Sequence, residues 1–585
     1  MKIAAVALAL VGLPLLAHDS RGRTEAPLEA RRVKNPIAAN PAILATAHQT
    51  FTRLCALCHG EDGKAMTKFA GSMRTRPTNL TTYVMESMTD GEIFWVVTNG
   101  LGEMPSFAEH VPESARWELA LWIRELRARQ RAVEEARLGR YTWKLPPGFP
   151  YPNVPPGNRM SEEKVELGRH LFYDSRLSFN QTQSCATCHR QDRAFSDGRP
   201  RAVGSTGQLH PRGSMSLLNV AYSPVLTWGN PNLRSLEQQA LVPMFGDHPV
   251  ELGMAGKEDL LIRRVRAEPR YHPLFAAAFP TEADPYTVGN ITKAIASFER
   301  TLLSGDSPYD EYRRHDNPNA ISDSAKRGEA LFFSERLECF HCHGGFNFTG
   351  TIDYLGKGLA EVEFHNTGLY NLKGQYSYPQ SNTGLFASTG QEDDIGKFKA
   401  PSLRNAALTA PYMHDGSLNT LDQVVEHYRA GGRTIKTGPL AGIGFDNPNK
   451  SEFIKSFELT PAEKADLLSF LRSLTDPSIA TNPRWSDPWH PASFTKAAPP
   501  KYVLQGEIVK VYPEDGTIAL FHNRVPGLID AAGRPSGREF IVADKNELNS
   551  LKAGMKVTAS VRKQGKDFVL EGIKRSPSKQ RPSPK

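Results

Sequence analysis

Three hydrophobic rhythms follow one another along the chain. From Pro41 to about Arg131 apolar residues recur at helical spacing. His48 to Cys58 reads as a short amphipathic helix, Glu92-Ile-Phe-Trp-Val-Val97 as a second, and Ala115-Arg-Trp-Glu-Leu-Ala-Leu-Trp-Ile-Arg-Glu-Leu126 as a third. A helix rich in Arg and Glu leads into Leu145–Gly157, where eight of thirteen residues are Pro or Gly, the composition of a semi-extended linker. From Asn158 to about Pro477 the pattern repeats: Glu166-Leu-Gly-Arg-His-Leu-Phe-Tyr173 and Lys326-Arg-Gly-Glu-Ala-Leu-Phe-Phe333 are similar short helices, each followed by a loop. After Pro500 the period falls to two. Tyr502–Val511, Thr517–Phe521, Glu539–Val542, Met555–Val561 and Phe568–Gly572 read as five strands with Gly turns, a small barrel.

The chemistry is concentrated in one motif that occurs three times. Cys55-Ala-Leu-Cys58-His59, Cys185-Ala-Thr-Cys188-His189 and Cys339-Phe-His-Cys342-His343 use all six cysteines of the chain. Paired thiols two residues apart, with histidine next, are the attachment signature of c-type haem: both thiols bond the vinyl groups and the imidazole becomes the proximal iron ligand. Zinc fits poorly, since each pair carries a trailing histidine and none has a second Cys pair at finger spacing. Disulfides within such pairs would be strained and would crosslink little. Three covalent haems are expected, with a mainly helical fold of three cytochrome lobes followed by a β-barrel.

Charge and composition add limits. A length of 585 residues suggests three or four domains, and 39 % hydrophobic with 23 % charged residues is an ordinary globular balance. The net charge of +8 ends in a basic tail, residues 576–585, which reads as disordered. No nucleic-acid-binding motif accompanies it, so the charge is read as a bias toward acidic redox partners. Met1-Lys2 followed by an apolar run from Ile3 to Ala17 reads as a signal peptide, residues 1–19, with an uncleaved anchor as the alternative. About 15 apolar residues fall short of the ~20 a membrane span needs, and no other stretch is long enough. Export agrees with haem c, which is attached outside the cytoplasm, and a periplasmic location is expected.

Residues 41–132 resemble a class I cytochrome c domain: CxxCH on the first helix, then Asn99-Gly-Leu-Gly-Glu-Met104-Pro105, then a closing helix. The resemblance implies Met104 as sixth iron ligand; a buried core methionine is the plainer reading. Residues 133–157 form the linker. Residues 158–318 and 319–478 resemble the two lobes of the bacterial di-haem cytochrome c peroxidase and MauG family. The matching stretches include Ser216-Leu-Leu-Asn-Val220, Leu236-Glu-Gln-Gln-Ala240, Pro249-Val-Glu251, Phe364-His-Asn-Thr-Gly368, Phe398-Lys-Ala-Pro-Ser-Leu-Arg-Asn405 and Ala410-Pro-Tyr-Met-His-Asp-Gly416. A second connection, 479–500, precedes residues 501–575, which look like the CusF-like copper-binding fold, with Val525-Pro-Gly-Leu528 matching. The family's Trp and Met-x-Met copper ligands are missing here; His522 is the remaining candidate and Met555 lies in a later turn, so a docking role is expected instead.

The resemblance to the peroxidases implies roles. Glu251 would be the distal proton shuttle, Gln239 the amide that positions peroxide, and Trp228 the relay between the two haems. The histidine that gates this iron in many relatives is replaced by Ser205, with His210 nearby as a substitute ligand or a loop at the haem edge. At the His343 haem, the family's axial position falls on Tyr428, as in MauG-type enzymes, with His427 as rival and a packed core tyrosine as the plain reading. His365 and His414 look structural or propionate-contacting. Calcium between the lobes would use Gly213, where the family has Asn, and the carbonyls of Thr409 and Pro411. The implied function is reduction of hydrogen peroxide at the His189 haem with electrons relayed through the His343 haem from a redox partner, a cytochrome c or small copper protein. The alternatives are MauG-like oxidation of a protein or small molecule through high-valent haems, and a pure electron carrier.

Overall fold

The computed structural model describes residues 26–138, 141–314, 317–373, 377–490, 502–513, 517–522, 538–542, 545–564 and 567–575. The expected signal peptide, the basic tail and the Val525–Leu528 loop lie outside these residues. The chain divides into one unit up to Trp489 and another from His490.

Three helices build the first part of the larger unit: α1 (Pro41–Leu54), α2 (Asp90–Asn99) and α3 (Glu113–Leu138). The side chain of Asn40 accepts from the Ile43 N–H, and Pro41 occupies the first turn, so α1 starts earlier than its apolar stripe and stops at Leu54. The haem motif then forms a separate turn, Ala56–His59. A capping box between Thr89 and Glu92 starts α2. Ala47 and Phe51 of α1 pack on Leu119, Ala120 and Ile123 of α3, with Ile93 and Val97 of α2 closing the core.

The repeat is visible as two equivalent helix pairs. In the first lobe α4 (Glu162–Tyr173) packs on α6 (Val288–Glu299), with α5 (Leu236–Phe245) also against α6. In the second, α7 (Asp323–Phe332) packs on α9 (Pro461–Ser473), and α8 (Leu421–Arg429) lies nearby. Each pair crosses at a glycine. A Cβ on Gly168 would sit 1.9 Å from the Ala294 carbonyl oxygen, and one on Gly328 would sit 2.0 Å from that of Asp466. These are the glycines of Leu-Gly-Arg and Arg-Gly-Glu in the two repeats, so the shared pattern records a backbone-to-backbone contact. Both helices begin earlier than the apolar spacing indicates because Ser161 and Ser322 cap them, accepting from the N–H groups of Lys164 and Ala325.

The second unit contains a closed five-stranded barrel. Its strands β1 (Tyr502–Tyr512), β2 (Thr517–His522), β3 (Arg538–Val542), β4 (Lys556–Gln564) and β5 (Asp567–Arg575) are ordered β1-β2-β3-β5-β4, with β4 returning to β1. The pairs are antiparallel except β3 with β5. Leu504, Ile518, Leu520, Val557, Ala559 and Leu570 fill the interior at the alternating positions a barrel requires. The strands run longer than their hydrophobic runs because ladder pairing continues past the core, as in Gln564 with Asp567. His522 is buried beside Phe540, 5.3 Å between ring centroids.

Candidate active site

The three haem motifs close one helical turn in the same way. The histidine N–H donates to the carbonyl of the first cysteine four residues back, at 2.9, 2.9 and 3.1 Å for His59, His189 and His343, so one helical turn presents two thiols and an imidazole together. In each, Nδ1 faces a backbone carbonyl: Thr78 at 3.0 Å for His59, Phe195 at 2.9 Å for His189, Phe348 at 3.2 Å for His343. Nδ1 therefore carries the proton and Nε2 is left as a lone pair, the arrangement of an oriented metal-ligating histidine. Burial holds all three rings neutral: it lowers His59 and His189, and brings His343 down to about 4. No disulfide joins any of the six cysteines. The donor set and its orientation fit haem c at three sites and do not fit disulfides.

A cavity opens beside His189. Cys185, Cys188 and His189 form one wall; Gln239 from α5, Glu251, His210 and Glu299 from α6 line the rest. The distal residues expected from sequence are thus brought together. Glu251 rides on a loop pinned from below: the Ser205 N–H donates to its carbonyl at 2.7 Å, the Gln208 side chain accepts from the Val250 N–H, and Gly204 is so close to Val250 that a Cβ would lie 1.9 Å from its carbonyl oxygen. Ser205, at the position of the relatives' gating histidine, therefore anchors the segment that carries the acid. Burial raises the Glu251 carboxyl to about 7, into the working range of a proton-transfer group.

His210 meets the cavity in a form unsuited to ligation. Its Nδ1 accepts the Arg212 N–H at 3.1 Å, so a neutral ring carries its proton on Nε2 and offers a donor, not a lone pair. Glu299 is the residue that sequence reasoning missed. It is 5 % exposed, its Oε2 has no hydrogen-bond partner, and burial raises it to about 8, Arg300 opposing and Glu237 adding to the shift. No motif marks it: it ends an amphipathic helix, and only the fold turns its last residue into the cavity.

In the second lobe, Tyr428 on α8 is held well above the ordinary phenol range by burial and by the charges of Cys342, Cys339 and Tyr378. It therefore belongs to the surroundings of the His343 motif. The rival His427 faces the Thr367 backbone and is lowered to about 4 by burial. His365 hydrogen-bonds Glu363 at 3.3 Å, and these contacts together with Cys342 outweigh burial to raise it to about 9. His414 stacks on Phe398, 3.7 Å apart, with Nε2 unpartnered. Trp228 is away from the cavity. Its Nε1 donates to the Gly213 carbonyl at 2.9 Å, and it packs against the second-lobe cluster that contains Tyr370, Tyr378 and Phe398. Met104 packs with Cys55 against the first helical core, in a turn closed by the paired backbones of Leu101 and Met104. Gly100 has φ +78 there, and a Cβ would lie 2.6 Å from the Met104 carbonyl. That part also touches the second lobe: Tyr83 meets Phe346 at 5.4 Å and Tyr354 at 5.1 Å. Among the described residues no helix is long and apolar enough to cross a membrane.

Comparison with known proteins agrees with this geometry. Residues 162–318 match the profile of the di-haem cytochrome c peroxidases, residues 42–123 that of the cbb3-type cytochrome c oxidase subunit III, and residues 501–575 that of the copper-binding periplasmic protein CusF. The methylamine utilization protein MauG of Methylorubrum extorquens is 35 % identical over 347 residues, 58 % of this chain and 86 % of that protein. The cytochrome c551 peroxidase of Pseudomonas aeruginosa is 33 % identical over 269 residues, 46 % of this chain and 72 % of that protein. The crystal structure of a MauG-like protein associated with microbial copper homeostasis superposes with a TM-score of 0.59 at 48 % identity, covering 60 % of this chain and all of that one. With two repeated haem lobes, a distal cavity over one of them and relatives of this kind, the chain belongs to the di-haem cytochrome c peroxidase and MauG family of oxidoreductases.

Proposed function

We propose that the protein is an exported tri-haem cytochrome that reduces hydrogen peroxide in the cavity above His189. The observation that carries this reading is the convergence of Glu251 and Gln239 on one cavity with Cys185, Cys188 and His189. Haem iron, when bound, supplies electrons and the site of O–O cleavage. Cys55, Cys58 and His59, Cys185, Cys188 and His189, and Cys339, Cys342 and His343 would hold the three groups, and Met104 and Tyr428 would add ligands at the first and third sites. Glu251 takes the proton from the nearer peroxide oxygen and returns it to the farther one, which leaves as water. Gln239 orients the peroxide, and His210 Nε2–H adds a donor. Electrons enter through residues 41–132 and cross to the second lobe by the Tyr83–Phe346 contact, then reach the first lobe past Trp228. Calcium would draw on the carbonyls of Thr409 and Pro411, with that of Gly213 already engaged by the Trp228 indole.

Tyr428 favours a second reading, MauG-like oxidation of a protein or small molecule. A phenolate is a hard ligand that favours oxidised iron and suits storage of oxidising equivalents. The 48 %-identical MauG-like neighbour and the CusF profile match together suggest copper handling as the setting. Intact mass of the purified, denatured protein should exceed that of the polypeptide by three haems; two or fewer would remove the tri-haem arrangement. Adding one equivalent of peroxide to the ferric protein in a stopped flow should change the absorbance without prior reduction. A protein that reacts only after partial reduction would overturn both the open site and the Nε2–H form of His210, and would make His210 the residue to replace.

A further inference from the structure

Tyr370 lies in the aromatic cluster of the second lobe that also contains Tyr378, Phe398 and Trp228. It is 3 % exposed, and its hydroxyl donates to Asp415 Oδ2 at 2.6 Å. Burial would raise the Asp415 carboxyl, but His414, the Tyr370 hydroxyl and Ser417 outweigh it and keep the group below the ordinary carboxylate range, so it is ionised. The Tyr370 ring stands 5.6 Å from that of Tyr378, which lies 6.2 Å from Phe398 and 6.4 Å from His414. The aromatic cluster thus runs through the interior of the second lobe to a tyrosine that has a base.

The two inner tyrosines differ in what receives their proton. Tyr378 donates to the amide oxygen of Asn366 at 3.0 Å, a very weak base, and its oxygen also accepts from the Leu369 N–H. Losing an electron there would leave a buried positive charge with no relief, and an unpaired buried charge is expensive. At Tyr370 the proton moves along an existing short hydrogen bond, and the pair passes from one negative charge to none.

We propose that Tyr370 and Asp415 form a proton-coupled redox station that stores one oxidising equivalent in the second lobe. Tyr370 gives up one electron, its O–H bond breaks, the proton passes to Asp415, and a neutral phenoxyl radical remains beside a neutral carboxylic acid. Peroxide is the oxidant: its reduction to two waters consumes two electrons and two protons; Tyr370 supplies one electron, ferric haem iron, when bound, would supply the other, and both protons come from solvent. The inference rests on the reading that oxidising equivalents reach the second lobe.

The test uses the ferric holoprotein, frozen at intervals after one equivalent of peroxide and examined by electron paramagnetic resonance. A tyrosyl signal is expected that narrows when the protein is made with ring-deuterated tyrosine. Tyr370→Phe, which deletes only the hydroxyl, should abolish it, Asp415→Asn should diminish it, and Tyr378→Phe should leave it. A parallel sample receives its oxidising equivalent from flash-generated ruthenium(III) trisbipyridine. A Tyr370-dependent radical from ruthenium in a protein inert to peroxide would overturn the peroxidase reading and support the station. Peroxide consumption with a radical, or no radical, indifferent to Tyr370→Phe would overturn the station and leave the peroxidase reading intact.

Discussion

Replacing Glu251 by Gln should slow the reaction of the ferric protein with peroxide by about 10²–10⁴-fold, the usual worth of a positioned acid–base group, while the haem content stays that of the wild type. Gln keeps the size of the side chain and the backbone contacts with Ser205 that fix the loop. What it removes is a group that can accept a proton and give it back. The direction of the pH dependence follows from burial. An ordinary glutamate is ionised throughout the neutral range, but burial raises this one to about 7. Only the carboxylate can take the peroxide proton, so in the wild-type protein the reaction should be slow below pH 7 and should accelerate as pH rises through that value. In Glu251→Gln this limb should vanish. Glu299 shares the cavity and is raised to about 8, so a remaining limb about one unit higher in the variant would assign proton transfer to Glu299. Stopped-flow absorbance from pH 5 to 9 separates the cases, and a variant as fast as wild type would place the acid elsewhere.

What could be read from the sequence follows a physical division. The haem motifs are local: two thiols and an imidazole within one turn need five consecutive residues, and all three motifs fold as their spacing requires. The repeat was readable because its glycines, Gly168 and Gly328, meet a carbonyl of the facing helix, a constraint that leaves the same residue in both copies. The barrel was readable because inward residues alternate, although strand ends were not, since pairing extends beyond the apolar run. Glu251 and Gln239 were found by likeness to a family; nothing in Pro249-Val-Glu251 alone points to a cavity. Glu299 was missed for the same reason. Its burial depends on α6 being covered by α4 and α5, and a glutamate ending a helix otherwise reads as a solvated residue. The role of Ser205 was half legible. Its identity removed a candidate iron ligand, but its backbone bond to Glu251, across 46 positions of sequence, belongs to tertiary structure. The tautomer of His210 likewise depends on the Arg212 N–H being turned back on it.

Replacing Arg404 by Met should cost about 3–5 kcal/mol of stability in the second lobe, the penalty for leaving one partner of a buried ion pair uncompensated. Arg404 and Asp310 have side chains 2 % and 1 % exposed, and they meet in a two-pronged contact at 2.7 and 2.8 Å. The third face of the guanidinium donates to the Phe346 carbonyl at 2.7 Å, and its plane lies over Phe149 and Phe348, 5.0 and 5.5 Å from the ring centres. Met keeps the bulk of the stem against those rings but supplies no donor, so Asp310 keeps only its remaining partners, Ser307 among them. The consequence reaches the haem site through the backbone. Phe346 and Phe348 belong to the loop that follows His343, and the Phe348 carbonyl is the acceptor that orients the His343 ring. A loop released at Phe346 should let that ring turn, so the spectrum of the His343 haem should broaden or shift while those of the other two stay unchanged. Asp310→Asn in the same chain removes the stranded charge and should restore part of the stability, but not the loop contact. Urea denaturation followed at the haem absorbance, with spectra of the folded variants, reads both effects. Equal denaturation midpoints for wild type and Arg404→Met would mean that the pair contributes nothing to the lobe. A stability loss fully repaired by Asp310→Asn, with an unaltered haem spectrum throughout, would confine Arg404 to neutralising Asp310.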